Sequence, residues 1–379
     1  MTSLRAARTL LAATAVAALT AGALAAPAVA AAAPKKPDHT ATQRALDAAV
    51  EAGVPGAVAQ ARTGHAAWTG TAGERGGKDR YRVGSITKTF VATVLLQLQA
   101  ENRLDLDDPV EKWLPGVVSG NGHDGRKITV RQLLNHTSGV YDVTSDAGFQ
   151  QKVFGPDFLK HRYDTWTPEQ LVAVAMTHEP DFAPGTSWSY SNTNYVLAGM
   201  VIEKATGRPY GKEVERRILK PLKLRATSVP GTTVTVPQPS SRAYSKLSLD
   251  PNAPTVHDVT ELNPSLAGAA GEMISDSNDL QTFYRALFKG KLLPKAEMRE
   301  MTRAVPVGAE NPEFFYGLGL MKAKLSCGKE VWGHGGGIHG SSSQAVSTRD
   351  GEHSLAMNFN ADWTGDSQTV VEAEFCGRG

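Results

Sequence analysis

The spacing of apolar residues along the chain changes twice. Val54-Pro55-Gly56 leads into Ala57-Val58-Ala59-Gln60-Ala61-Arg62, a Gly turn follows, and 66–73 completes what predicts a strand hairpin. From Ser85 the period becomes helical. Phe90, Val91, Val94, Leu95 and Leu98 recur at three and four residues with little polar surface between them, which predicts a central, buried helix. Thr129 with Gln132, and Thr167 with Gln170, are T-x-x-Q capping boxes, the second carrying Pro168 at the first helical position. A further apolar-faced helix is predicted over 193–206, stopped by Gly207. Strands return at 330–333, 343–349 and 353–360, the last two joined by an Asp350-Gly351 turn, and 368–375 predicts a closing helix. Strands at both ends with helices between predict an α/β (α+β) fold. An antiparallel sheet would be built from about 41–84 and 208–379, with a helical lobe of about 85–207 inserted.

The first residues differ in character. Arg5 and Arg8 precede an Ala/Leu-rich run over 9–26 and small residues at Ala28-Val29-Ala30, the pattern of a signal peptide over 1–30 removed near Ala30. Gly22 and Pro27 break the run, which argues against a membrane anchor, and no Cys follows it to carry a lipid. An Ala/Pro/Lys linker over 31–40 and a catalytic domain over 41–379 complete the expected organisation of a secreted protein with no stable membrane anchor. Export changes how the two cysteines are read: Cys327 and Cys376 predict a disulfide, not a metal site or a catalytic thiol.

The charge balance, 40 basic against 38 acidic side chains in 379 residues, excludes a nucleic-acid binder that relies on a positive field. No C-x-x-C or H-E-x-x-H occurs, and His334 and His339 share a Gly-rich stretch with no carboxylate beside them, a poor metal site. The expectation is therefore a monomer acting on a small substrate with no metal and no cofactor.

Three short motifs carry the candidate chemistry. Ser85-Ile86-Thr87-Lys88 is S-x-x-K, Tyr190-Ser191-Asn192 is Y-x-N, and His334-Gly335-Gly336 is H-x-G after a strand. A second S-x-x-K, Ser326 to Lys329, includes Cys327 and a Gly in a strand region. Only the first opens a buried helix, where a three-residue step puts both side chains on one face. A serine hydroxyl is inert until a neighbour takes its proton, and a buried Lys at a helix N-terminus is pressed toward its neutral, basic form. Gly333-His334-Gly335-Gly336-Gly337 imitates the oxyanion motif of α/β-hydrolases, but no G-x-S-x-G elbow exists to complete that fold.

With Tyr81-Arg82-Val83-Gly84, the 104–110 segment, the 128–139 segment and Tyr316-Gly317-Leu318-Gly319-Leu320, these motifs make the chain resemble serine β-lactamase-type hydrolases and penicillin-binding proteins. It is most similar to the class C-like group and its secreted D-alanyl-D-alanine carboxypeptidases. The resemblance implies the β-lactamase/transpeptidase-like fold, an antiparallel sheet flanked by helices plus an all-helical lobe, with the active site between them. It implies an acyl-enzyme on Ser85, proton shuttling by Lys88 and Tyr190, and substrate-amide binding and Lys88 orientation by Asn192. His334 would tune the field around Tyr190, backbone N–H groups of Ser85 and Gly337 would form the oxyanion hole, and Gly335 and Gly336 would line the substrate.

The implied substrates are peptidoglycan-type peptides. A β-lactamase or small-ester or amide hydrolase on the same fold is an alternative, and a non-catalytic peptidoglycan- or β-lactam-binding relative a second. The chain departs from the carboxypeptidase pattern where the carboxylate of the terminal D-alanine is bound. Gly335 and Gly337 replace hydroxyl residues, and Met321 replaces an arginine. Simple amides, esters or thioesters are then expected to compete with D-Ala-D-Ala peptides, unless Lys322 or Lys324 reaches in from the adjacent strand.

Overall fold

The computed structural model describes residues 38–248 and 253–377; the expected signal peptide and most of the expected linker lie outside the described residues. Eight strands form one antiparallel sheet: β1 (Gly56–Thr63), β2 (Ala66–Gly73), β3 (Val305–Pro306), β4 (Phe314–Tyr316), β5 (Met321–Lys324), β6 (Glu330–Ile338), β7 (Ser341–Ser347) and β8 (His353–Phe359). Their order is β2-β1-β8-β7-β6-β5-β4-β3, so the N-terminal hairpin pairs with the last strand, Ala57 opposite Phe359.

Strand alternation sends successive side chains to opposite faces. Ala57, Ala59, Ala61, Val331, Val346, Leu355 and Met357 build an outer core with α1 (Thr40–Glu51) and the closing helix (Ser367–Cys376). Val58, Trp332, Ala345 and Ala356 face the inner core, with Phe283 of the helix Ser277–Phe288 and the buried helix α2 (Thr87–Ala100). In β6 the same alternation places His334 and Gly336 on the inner face with Trp332, and Gly335 on the outer face with Val331.

Helix α2 is buried on every side from Thr87 to Leu96, and Phe90 stacks on Phe283 with ring centroids 3.7 Å apart. Burying a side chain such as Phe90 or Leu95 is worth about 2 kcal/mol. The threonines of this apolar helix bond to carbonyls, Thr87 to Gly84 at 2.7 Å and Thr93 to Thr89 at 2.7 Å, so their hydroxyls are not buried unpaired.

Both predicted capping boxes form, at Thr129 with Gln132 and at Thr167 with Gln170. The helix Asn192–Thr206 ends on Gly207 at φ 71°. Cys327 is bonded to Cys376, tying the β5–β6 turn to the end of the closing helix. Among the described residues no helix is long and apolar enough to cross a membrane.

Four expectations are corrected. His334 lies inside a strand, not after one: β6 continues through the glycines to Ile338, which pairs with Ser341. Gly84–Ile86 form a 3-10 turn before α2 begins at Thr87. The first helix starts at Thr40, at the end of the expected linker. Finally, the segment expected to be all-helical contains a two-residue strand pair, Ser119–Gly120 with His123–Asp124.

Candidate active site

Ser85 is placed by backbone packing against backbone. Gly84 has φ +54°, and a Cβ there would lie 2.8 Å from the Gly337 nitrogen. On the facing strand, a Cβ at Gly336 would lie 1.9 Å from the Val83 carbonyl oxygen and 3.1 Å from the Ser85 nitrogen. Glycine is required at both positions, and the contact brings Gly337 alongside Ser85. This is why a Gly-rich run that resembles a loop is held as a strand.

Lys88, fully buried in the first turn of α2, has its Nζ 3.0 Å from Ser85 Oγ, 2.8 Å from Asn192 Oδ1 and 2.7 Å from the Ala270 carbonyl oxygen. Burial lowers its pKa to about 7, against a smaller opposing effect of the Asp142 charge. A neutral amine has two hydrogens and one lone pair. The two carbonyl oxygens can only accept, so they take the hydrogens and leave the lone pair facing Ser85. Asn192 is itself held in place. Its Nδ2 donates to Asp142 Oδ2 at 3.3 Å and to Thr144 Oγ1 at 3.2 Å, which turns its Oδ1 toward Lys88.

Tyr190 is half-buried on the other side of the Lys88 amine, whose Nζ is 4.8 Å from its ring centroid. Burial pushes the phenol pKa up and a hydrogen bond with Ser85 opposes the shift, so Tyr190 is a neutral hydroxyl at ordinary pH. His334 is buried and its ring centroid is 6.4 Å from that of Tyr190, but its Nε2 bonds to Tyr316 Oη at 2.8 Å. Its Nδ1 faces the Gly335 carbonyl, an acceptor, so Nδ1 carries the proton and Nε2 accepts from Tyr316. Burial, then the nearby Lys88 charge, lower the His334 pKa to about 3, so the ring is neutral and acts as a dipole.

Ser85, Lys88, Tyr190, Asn192 and His334 are thus gathered at one place. The second S-x-x-K is dispersed: Ser326 donates to Glu372 at 2.7 Å and Lys329 to the Phe375 carbonyl at 2.6 Å, both on the closing helix. The sequence reading missed Asp142 and gave no separate role to Tyr316 or His136. Asp142 follows the 128–139 segment closely, and its signal was only the need of an Asn side chain for something to orient it.

A cavity of about 290 Å³ opens on Ser85, Tyr190, Asn192 and Gly337, and its walls are apolar: Val143, Phe149, Phe154, Val196, Leu266 and Ile338. Neither Gly335 nor Gly336 lines it. Gly336 is sealed against Val83, and Gly335 lines a separate cavity of about 120 Å³ on the outer face with Met321, Phe314, Val331, Val346 and Val371. No Lys or Arg lines that second cavity. Lys322 pairs with Glu330 at 2.6 Å and Lys324 with Glu313 at 3.7 Å, and neither lines the cavity on Ser85. A larger cavity of about 630 Å³ is bounded by Tyr210, Leu219, Val229 and Glu272, with the Tyr210 hydroxyl donating to Glu272. Among the described residues no three His, Cys, Asp or Glu side chains are gathered as a metal ion would need.

A family model described as Beta-lactamase matches residues 31–370. Penicillin-binding protein 4* of Bacillus subtilis (strain 168) is 27% identical over 298 residues, 74% of this chain and 61% of that protein. Protein flp of Staphylococcus aureus (strain COL) is 33% identical over 150 residues, 39% of this chain and 28% of that protein. The chain therefore spans less than two thirds of the length of either curated relative.

Among solved structures, a D-stereospecific amidohydrolase from Streptomyces sp. is 78% identical with a TM-score of 0.89, over 90% of this chain and 100% of that one. A D-amino acid amidase from Ochrobactrum anthropi SV3, complexed with L-phenylalanine amide, is 29% identical with a TM-score of 0.76, over 89% of this chain and 99% of that one.

Proposed function

The chain belongs to the β-lactamase family, and on that premise we propose that it is a D-stereospecific amidohydrolase. It would cleave amides of D-amino acids with bulky apolar side chains, and their esters and thioesters, through an acyl-enzyme on Ser85. The observation that carries this reading is the cavity on Ser85 itself, whose lining is mostly apolar and contains no Lys or Arg to pair with a terminal carboxylate. A buried carboxylate needs charge-assisted partners, and a site without them loses several kcal/mol for an acidic terminus. The D-Ala-D-Ala carboxypeptidase activity implied by the resemblance is accordingly placed second. The names of the two solved relatives support D-stereospecific amide hydrolysis, and the walls of Phe149, Phe154, Leu266 and Ile338 support a large apolar acyl side chain. The signal-peptide pattern and the disulfide support export.

In this mechanism the Lys88 lone pair takes the Ser85 hydroxyl proton as Oγ attacks the amide carbon. The oxyanion is held by the backbone N–H groups of Ser85 and Gly337, each donor worth about 3 kcal/mol. The proton passes through the Tyr190 phenol to the leaving nitrogen, the C–N bond breaks, and ammonia or an amine departs. Water then adds to the ester, giving its proton back along the same path, and the D-amino acid leaves with Ser85 restored. His334 holds Tyr316 and contributes a fixed dipole beside Tyr190.

The test compares kcat/KM for D-phenylalanine amide, L-phenylalanine amide and a D-Ala-D-Ala peptide, with mass spectrometry of the trapped adduct. The expected result is a strong preference for the D-amide and an acyl group on Ser85. A D-Ala-D-Ala peptide cleaved about a hundredfold better than the amide, or an adduct on another residue, would overturn the reading.

A further inference from the structure

Tyr190 precedes the helix Asn192–Thr206 in a stretch that belongs to no helix or strand. Its neighbours' backbone N–H groups must therefore find partners elsewhere. They find the same one. The Ser189 N–H donates to the His136 carbonyl at 3.1 Å, and the Ser191 N–H donates to His136 Nδ1 at 3.2 Å. Asn194 Nδ2 adds a second donor to Nδ1 at 3.2 Å, and its Oδ1 is in turn held by Ser138 at 2.6 Å. The imidazole also lies against the Tyr190 ring, centroids 4.3 Å apart and 31° between planes.

His136 is fully buried and has φ +62°, a left-handed conformation that is uncommon for a residue with a Cβ. That conformation follows α-helix Val130–Leu134 and turns both the carbonyl and the ring toward the Tyr190 stretch. Because Nδ1 accepts two N–H groups, it carries no proton. The proton is on Nε2, which has no hydrogen-bond partner, and the remaining neighbours of the ring are Tyr195, Tyr316 and Trp188.

We propose that His136 is the positioning residue of Tyr190: it clamps the backbone on both sides of that tyrosine and backs its ring, fixing the phenol against Ser85. The inference rests on the assignment of Tyr190 as the proton shuttle. Its consequence is selective. An amide nitrogen must be protonated to leave, whereas a thiolate leaves unprotonated, so loosening Tyr190 harms amides more than thioesters.

The experiment measures kcat and KM of the full chain and of His136→Phe, His136→Asn and Tyr190→Phe on D-phenylalanine amide and D-phenylalanine benzyl thioester. His136→Phe keeps a ring but offers no acceptor. It is expected to lose about a hundredfold in kcat/KM on the amide and less than about fivefold on the thioester, because kcat/KM reports acylation, where the leaving groups differ, whereas deacylation is common to both. His136→Asn, whose Oδ1 takes the place of Nδ1, is expected to recover most of the amide rate.

If Tyr190→Phe shows the selective loss and His136→Phe loses both substrates equally or neither, the clamp is wrong and the shuttle stands. If Tyr190→Phe itself shows no selectivity, the shuttle assignment fails. A failure of His136→Asn to recover the amide rate also overturns the clamp. One measurement needs no variant: ¹⁵N spectra of histidine-labelled enzyme must place the His136 proton on Nε2, and a proton on Nδ1 refutes the arrangement.

Discussion

On the inner face of β6, His334 and Gly336 meet Tyr316, Val83 and Ser85, and the polar groups gathered there have partners that serve the chemistry. On the outer face, one residue away, Gly335 opens on Met321, Phe314 and Val371 in a separate cavity beneath the closing helix. The two faces share a backbone yet serve different surroundings. The difference teaches that the alternation of a single strand divides its residues between the reacting site and the packing beneath the closing helix.

The sharpest way to break that comparison is to remove the inner face. Ser85→Ala and Lys88→Ala are each expected to lower kcat/KM on D-phenylalanine amide by about 10⁴-fold or more, because nucleophile and base act as a unit. Measured turnover of either variant within about tenfold of the parent enzyme would refute the assignment.

The next effect is one of pH. Burial lowers the Lys88 pKa to about 7, so the basic amine is present above that value and is lost as pH falls. The kcat/KM profile is expected to drop about tenfold per unit below pH about 7. The same shift has a sign in stability: the unfolded lysine binds a proton that the folded one does not between about 7 and 10.5, so this residue's cost to the fold diminishes as pH rises through that window. A flat rate profile from pH about 5 to about 8 would show that another group is the base.

The cavity on Ser85 gives a smaller effect. Gly337→Thr is expected to raise cleavage of a D-Ala-D-Ala peptide by about tenfold relative to its C-terminally amidated form, which the parent enzyme should scarcely distinguish. A Cβ at Gly337 meets nothing within 4 Å, so the change is accommodated. If the parent enzyme already discriminates strongly, the carboxylate has a partner outside the lining of that cavity.

Smallest of all on activity is the disulfide. Cys327→Ser with Cys376→Ser is expected to leave kcat/KM within about twofold while lowering stability by about 4 kcal/mol for a loop of 49 residues, read by denaturant melts.

Much of this was legible in the residues, for particular reasons. The α2 period, the two capping boxes and the Asp350-Gly351 turn are local, and local chemistry decides them. Ser85 and Lys88 were legible because three residues on a helix fix a distance. His334 was placed beyond its strand because glycines weaken strand propensity, and only contact with the distant Val83 explains them. Asp142 and His136 were not assigned roles, since each acts through a residue about 50 positions away with no pattern joining them. Lys322 and Lys324 were left open as cations for a carboxylate; they pair with Glu330 and Glu313, and pairing across a turn does not announce itself in composition.

The pairing of β1 with β8 places Val58 opposite Asn358, 300 positions further on. A chain emerging in order from the ribosome makes its first two strands early and their missing neighbour almost last. Until residues 353–359 are present the middle of the sheet cannot close, and contacts so remote in sequence form slowly. The sheet therefore closes only when synthesis is nearly complete.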